Sequence, residues 1–161
     1  MNLDQLDIKI LELLQKSEML TPKLSKIAKT VGSTNATVYR RVEALKKEGI
    51  IVGHTTRVDA GMIGRPLHSF IFLKMNKGVD KAEKEEISKR ISAVGGVEAV
   101  YVPMSKWSYI LMTRHTGLSE LDKFIQEDLA KLPLEEMQIE LISKTVKEDS
   151  AIMPIKKSGN Q

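Results

Sequence analysis

Residues 34–51, Thr34-Asn35-Ala36-Thr37-Val38-Tyr39-Arg40-Arg41-Val42-Glu43-Ala44-Leu45-Lys46-Lys47-Glu48-Gly49-Ile50-Ile51, decide how this chain is read. Val38, Val42 and Leu45 recur at four- and three-residue spacing, which sets them on one side of a helix, facing a core. Arg40 projects roughly opposite, Thr37 and Tyr39 lie on the flanks, and Arg41 lies near the edge of the apolar stripe. Thr34 supplies an N-cap hydroxyl, and Glu48-Gly49 closes the helix. Asn35, Thr37, Tyr39, Arg40 and Arg41 place an amide, a hydroxyl, a phenol and two guanidiniums within seven residues. Asn and Arg make bidentate contacts with adenine and guanine edges in the DNA major groove. Thr34 and the unpaired N–H groups of a helix start suit a phosphate. The competing reading is the solvated face of an ordinary amphipathic helix.

What precedes this stretch favours the first reading. Leu24, Ile27, Ala28 and Val31 form a second helical stripe, with Lys23, Lys26 and Lys29 as a ridge on its other side. Thr21 is its expected N-cap and Pro22 its first helical residue, where a missing N–H costs nothing. Gly32 stops that helix and only Ser33 separates it from Thr34, so the two helices cross steeply, as in a helix-turn-helix. Leu3, Leu6, Ile10, Leu13 and Leu14 make a first helix over residues 3–16, ended by Lys16-Ser17-Glu18. Residues 50–58 are β-branched and read as a strand or small ribbon.

Beyond residue 58 the pattern changes. Residues 59–66, with Gly61, Gly64 and Pro66, read as a linker. Phe70-Ile71-Phe72-Leu73 is a buried strand, and Ile87, Ile91 and Val94 stripe a helix over 81–94 ended by Gly95-Gly96. Residues 97–104 and 109–113 are strands around the turn Ser105-Lys106-Trp107-Ser108. Ser119 is expected to cap a helix with Leu121, Phe124, Ile125, Leu129 and Leu132 inside. Met137, Ile139 and Leu141 alternate with polar residues as a last strand. The order β-α-β-β-α-β is the ferredoxin-like split arrangement, which covers one face of its sheet and leaves the other for self-association. The fold class is therefore α+β: a helix-turn-helix domain over 1–58, the linker 59–66, a βαββαβ domain over 67–149 and a tail over 150–161. The tail holds one apolar cluster, Ile152-Met153-Pro154-Ile155.

Composition narrows the function. The chain has 161 residues and no cysteine, which excludes disulfides, thiolate catalysis and Cys-held metals. Residues 1–58 carry ten Lys or Arg against six Asp or Glu, while 59–161 carry fifteen of each, so the whole net charge of +4 lies in the first third. A one-sided basic segment is a footprint for a polyanion. Asp4, Asp7, Lys9, Glu12, Lys16 and Glu18 break any signal-peptide core, and no apolar run approaches the roughly 20 residues of a membrane span, so a cytoplasmic protein is expected. His54, His68 and His115 are scattered, with no metal-ligand spacing. Gly61-Met62-Ile63-Gly64 lacks the Lys-Ser/Thr of a phosphate loop, and no serine sits in a nucleophile elbow. The expectation is a non-enzyme with no cofactor and no metal.

Three stretches resemble the Lrp/AsnC (feast/famine) transcriptional regulators: residues 6–14, residues 24–28 and, above all, residues 37–51. The last matches a run of hydroxyl residue, Val, two variable positions, Val, a Leu and then Gly-Ile-Ile. With the βαββαβ order behind it, the resemblance spans residues 2–147. It implies a sequence-specific regulator that binds double-stranded DNA, dimerises through its sheets, often builds octamers, and is modulated by an amino acid or other small molecule bound between sensing (RAM-type) domains. The DNA-binding residues are then Thr34, Asn35, Thr37, Tyr39, Arg40 and Arg41, with Lys23, Lys26, Lys29 and Arg57 on phosphates. The effector stretch is Ser105, Lys106, Trp107 and Ser108. There the chain departs from the family's Thr-Gly-x-Tyr-Asp type turn: Ser105 replaces the glycine and Ser108 the acid. A carboxylate able to pair an ammonium is missing, so the effector differs, an anion for instance, or none binds. The rivals are a ligand-blind architectural DNA-binding protein, an enzyme like the tetrapyrrole (siroheme) decarboxylases, which look similar to this family across both domains, and a sensing scaffold without DNA binding.

Overall fold

A computed structural model describes residues 3–15, 23–53 and 58–148. Helices α1 (Gln5–Gln15), α2 (Leu24–Val31) and α3 (Asn35–Lys47) come first. They are followed by β1 (Leu67–Met75), α4 (Lys81–Ser92), β2 (Val97–Tyr101), β3 (Tyr109–His115), α5 (Leu118–Phe124) and β4 (Leu134–Leu141). The described residues up to 53 form one compact unit and residues 58–146 another. No helix among the described residues is long and apolar enough to cross a membrane.

In the first unit the three helices close on Ile10, Leu11, Ile27, Ala28, Val38, Val42 and Leu45. The stripe of α3 is the expected one. That of α1 is rotated: Ile8 and Leu11 are buried, whereas Leu3, Leu6, Leu13 and Leu14 are only half-buried against the core. Gly32 ends α2 with φ 66°, a left-handed conformation that favours glycine. Its N–H and that of Ser33 return to Lys29 and Ala28 carbonyls. The α2 start differs from expectation: Lys23 stands at the cap, with no side-chain bond, and Thr21 and Pro22 lie outside the described residues. The expected strand after α3 is also absent over 50–53, while 54–57 lie outside the described residues. The Ile50 and Ile51 N–H groups both donate to the Leu45 carbonyl (2.9 and 3.2 Å), so they close the helix end and are not free for a ladder. Ile51 folds back onto the helical core.

The second unit is an antiparallel sheet in the order β2-β3-β1-β4, the split βαββαβ topology. Its helix-covered face carries Ile71, Leu73, Met75, Tyr109 and Leu111, packed with Ile87, Ile91, Leu121, Phe124, Leu129 and Leu132. Period-two alternation puts Phe70, Phe72, Ile110 and Met112 on the other face, where register pairs Phe70 with Met112 and Phe72 with Ile110. β2 stops at Tyr101 rather than running to Met104, because Pro103 has no N–H to donate; Val102 and Met104 are exposed. β3 runs two residues further than the periodicity gives, to His115. Ser119 is not the cap of α5: Gly117 holds that position, and the free Thr116 N–H donates to Glu120 Oε2 at 2.6 Å. After Phe124 the chain widens into one π-helical turn, Ile125–Leu129, which keeps both Leu129 and Leu132 in the core.

Residues 58–66 are folded rather than slack. Met62 N–H donates to Asp59 Oδ1 and Arg65 N–H to the Ala60 carbonyl. The Arg65 guanidinium reaches the Arg114 carbonyl at 3.0 Å and Glu120 at 3.3 Å. Gly96 makes room for this. Its φ is 95°, and a Cβ there would lie 2.8 Å from the Arg114 oxygen and 3.1 Å from the Arg65 guanidinium.

Candidate nucleic-acid interface

Helix α3 is seated by three side chains, Val38 and Leu45 fully buried and Val42 nearly so. Thr34, extended at φ −88° and ψ 154°, caps it: its hydroxyl oxygen accepts from Thr37 N–H at 3.1 Å. The Thr34 hydroxyl donates in turn to Thr37 Oγ1 at 2.9 Å. One cap satisfies one of the free N–H groups of the first turn and leaves others for a phosphate oxygen. Asn35 and Arg40 are exposed, Tyr39 is 59% exposed and Thr37 half-buried, so these four side chains are presented on the side away from the core. Lys23, Lys26 and Lys29 are exposed at the start and along one side of α2. Arg57 lies outside the described residues.

Arg41 does something other than expected. Its guanidinium meets Asp4 Oδ2 at 2.8 Å and Asp7 Oδ2 at 3.3 Å, the one just ahead of α1 and the other in its first turn. Asp7 is 1% exposed, so Arg41 serves as the counter-ion of a buried carboxylate. The two acids also cap α1 reciprocally: Asp7 N–H donates to Asp4 Oδ1 (2.9 Å) and Asp4 N–H to Asp7 Oδ2 (3.2 Å). The hydrogen bond from the Asp7 backbone, and then the Arg41 charge, hold the Asp4 carboxyl below its usual range. Asp4 and Asp7 were missed as functional candidates, although acids three residues apart ahead of an apolar run form a recognisable capping pattern. Lys46 is paired with Glu43 at 2.9 Å, and that hydrogen bond raises its pKa.

The four residues of the expected effector stretch are brought together, and most of their polar atoms are used inside the chain. Ser108 N–H donates to the Leu73 carbonyl, and Ser108 Oγ accepts from Met75 N–H at 3.0 Å, beside the register shift of β1. Lys106 Nζ lies 4.2 Å from the Trp107 ring centroid and 3.1 Å from Glu136 Oε1. Trp107 packs on Phe72 with ring centroids 5.5 Å apart, and its N–H donates to Ser105 Oγ. Among the described residues no cluster of three or more His, Asp or Glu is placed to hold a metal.

Three helices with a capped, outward-facing polar third helix, followed by a split βαββαβ unit, define a DNA-binding helix-turn-helix protein with an α+β second domain. A winged helix-turn-helix DNA-binding family model matches residues 3–52. The transcriptional regulator LysM of Sulfurisphaera tokodaii is 32% identical over 126 residues, covering 78% of this chain and 84% of its own. An AsnC family regulator from Agrobacterium tumefaciens superposes with a TM-score of 0.86 at 20% identity, over 93% of this chain and 96% of that one. A Neisseria meningitidis regulator, solved as its L-methionine complex, gives a TM-score of 0.85 at 21% identity, over 94% and 96%.

The chain belongs to the Lrp/AsnC family. It is a DNA-binding transcriptional regulator rather than an enzyme.

Proposed function

We propose that α3 reads base sequence in the major groove through Asn35, Thr37, Tyr39 and Arg40, and that Thr34 at its capped start holds a backbone phosphate. Lys23, Lys26, Lys29 and Arg57 neutralise further phosphates; they set salt dependence rather than sequence preference. The observation that carries this reading is the exposure of Asn35, Tyr39 and Arg40 on a helix whose opposite side is fully buried. Arg41 is left out, because its guanidinium is committed to Asp4 and Asp7.

The half-buried Phe70, Phe72, Ile110 and Met112 give the second unit an apolar sheet face suited to a second copy of the chain, and further association builds an octamer. A two-fold dimer places two recognition helices in successive major grooves, about 34 Å apart, on an inverted repeat. The turn Ser105-Lys106-Trp107-Ser108 is the effector stretch. With Ser108 where the family has an acid, and Lys106 in the same turn, it suits an anionic molecule better than an amino-acid ammonium. The methionine complex of the Neisseria regulator supports modulation of this chain by a small molecule in general. The working boundaries are a DNA-binding domain over 1–58, a connection over 59–66, the sheet domain over 67–149 and the tail over 150–161. DNA as the partner implies a cytoplasmic location.

The test is selection from a random duplex pool by the full-length protein at physiological salt. Enrichment of an inverted repeat is the expected result. Binding without enrichment identifies a ligand-blind architectural protein instead. Arg40→Ala is expected to lower the preference for the selected duplex over a scrambled one by about 1–3 kcal/mol. An unchanged ratio removes Arg40 from base readout.

A further inference from the structure

We infer that Asp7, with Asp4, is a positioning residue for sequence reading: through Arg41 it fixes the rotation of α3 about its own axis. The inference rests on α3 being the recognition helix, as proposed above. Val38, Val42 and Leu45 hold α3 against the core, but the attraction between apolar surfaces is non-directional. Arg41 adds direction. Its two terminal nitrogens go to two different carboxylates, one to Asp4 at 2.8 Å and the other to Asp7 at 3.3 Å. Both acids are locked to each other's backbone N–H groups at the start of α1. A planar fork between two fixed acceptors tolerates little roll.

The required accuracy is small in angle. At the 5–6 Å outer radius of a helix, a roll of about 20° moves a side-chain tip about 2 Å, enough to break a bidentate contact to a base. Arg40 is the residue next to Arg41, so a rotation of α3 fixed at Arg41 also fixes the direction in which the Arg40 side chain leaves the helix. Stability alone does not account for the arrangement: Asp7 is buried, but Arg41 and Asp4 keep 35% and 46% of their side chains exposed, and pairs open to solvent contribute little. Asp7 is also the only buried acid among the described residues. It puts a negative charge into a unit that binds a polyanion.

That charge makes the test discriminating. Simple electrostatics predicts that Asp7→Asn strengthens DNA binding; a positioning role predicts weaker binding to the selected duplex. The full-length wild type, Asp7→Asn, Arg41→Lys, Arg41→Gln and Arg40→Ala are titrated with the selected and the scrambled duplex over a salt series. Expected for Asp7→Asn is a fall of about tenfold in preference for the selected duplex, within the range for residues coupled through one ion-pair network. Its affinity for scrambled DNA stays equal or rises. Arg41→Lys keeps the charge, loses the fork and shows the same selective loss with an unchanged salt slope; it decides the matter if Asp7→Asn does not fold. Undiminished preference in Asp7→Asn and Arg41→Lys, with Arg40→Ala impaired, overturns the positioning role alone. A salt slope that falls in Arg41→Gln by about one, with equal loss on both duplexes, also overturns it, because Arg41 then touches a phosphate. Preference that survives Arg40→Ala as well removes the recognition-helix reading on which the inference stands.

Discussion

The two units solve the burial of polar groups in opposite ways. Beneath the helices the buried group is a charge, Asp7, matched by Arg41. Beneath the sheet it is a neutral chain: Ser69 and Thr113 hydroxyls lie 2.7 Å apart, and Thr113 Oγ1 lies 3.1 Å from His115 Nε2. The cores differ as well. Among the described residues the helical cluster contains seven buried apolar residues and the sheet cluster twelve. Precision is needed where the partner must be read, and mass of packing where the chain must simply hold together.

The largest expected effect tests the packing side. Leu111, fully buried at the centre of the sheet, should cost about 2–5 kcal/mol when changed to alanine, read as a drop in denaturant midpoint. A loss below 1 kcal/mol would mean that the sheet core is looser than its burial indicates. On the helical side, Thr34→Ala removes the bond to Thr37 N–H and should cost about 1 kcal/mol of stability while also weakening DNA affinity. Stability lost with DNA affinity intact would restrict Thr34 to capping.

The smallest effect probes the buried His115 through pH. Burial chiefly, and the Arg65 charge, lower the His115 pKa against the opposing pull of Glu120. The unfolded chain then binds the proton more readily than the folded one, so stability is complete above about 6.5 and declines as pH falls below it. Asp4 and Glu120, whose carboxyls are held low, begin to cost stability only in the more acidic carboxylate range. The denaturant midpoint should therefore decline in two stages on acidification, and His115→Gln should abolish the first. A His115→Gln profile that still declines near pH 6 would place the titrating group elsewhere.

Much of this was legible in the sequence because it is periodic. The α3 stripe, the strand order and the switch in pattern after residue 58 all follow from three-to-four and two-residue spacing, which needs no knowledge of distant contacts. The failures are equally physical. Arg41 looked available because its nearer partner in the chain, Asp7, is 34 residues away, and no local pattern pairs them. The β-branched run after α3 suggested a strand, but at its start the Leu45 carbonyl took the Ile50 and Ile51 N–H groups first. Ser119 looked like a cap, yet Glu120 reaches back to Thr116 and the helix starts earlier. The turn 105–108 was visible as a turn; that Ser108 stitches it to β1 was not, because a side-chain-to-backbone bond leaves no periodic trace.

The pair Gly95-Gly96 looks in the sequence like a simple helix stop repeated for safety. The two are not equivalent letters. Nothing lies within 4 Å of a side chain added at residue 95, so many substitutions are admissible there. At residue 96 any side chain meets the Arg114 carbonyl and the Arg65 guanidinium together. A change at this one site would therefore be felt in how residues 58–66 are moored to the sheet, some thirty positions upstream. Over mutational time, residue 95 can drift while residue 96 is bound to the fate of Arg65.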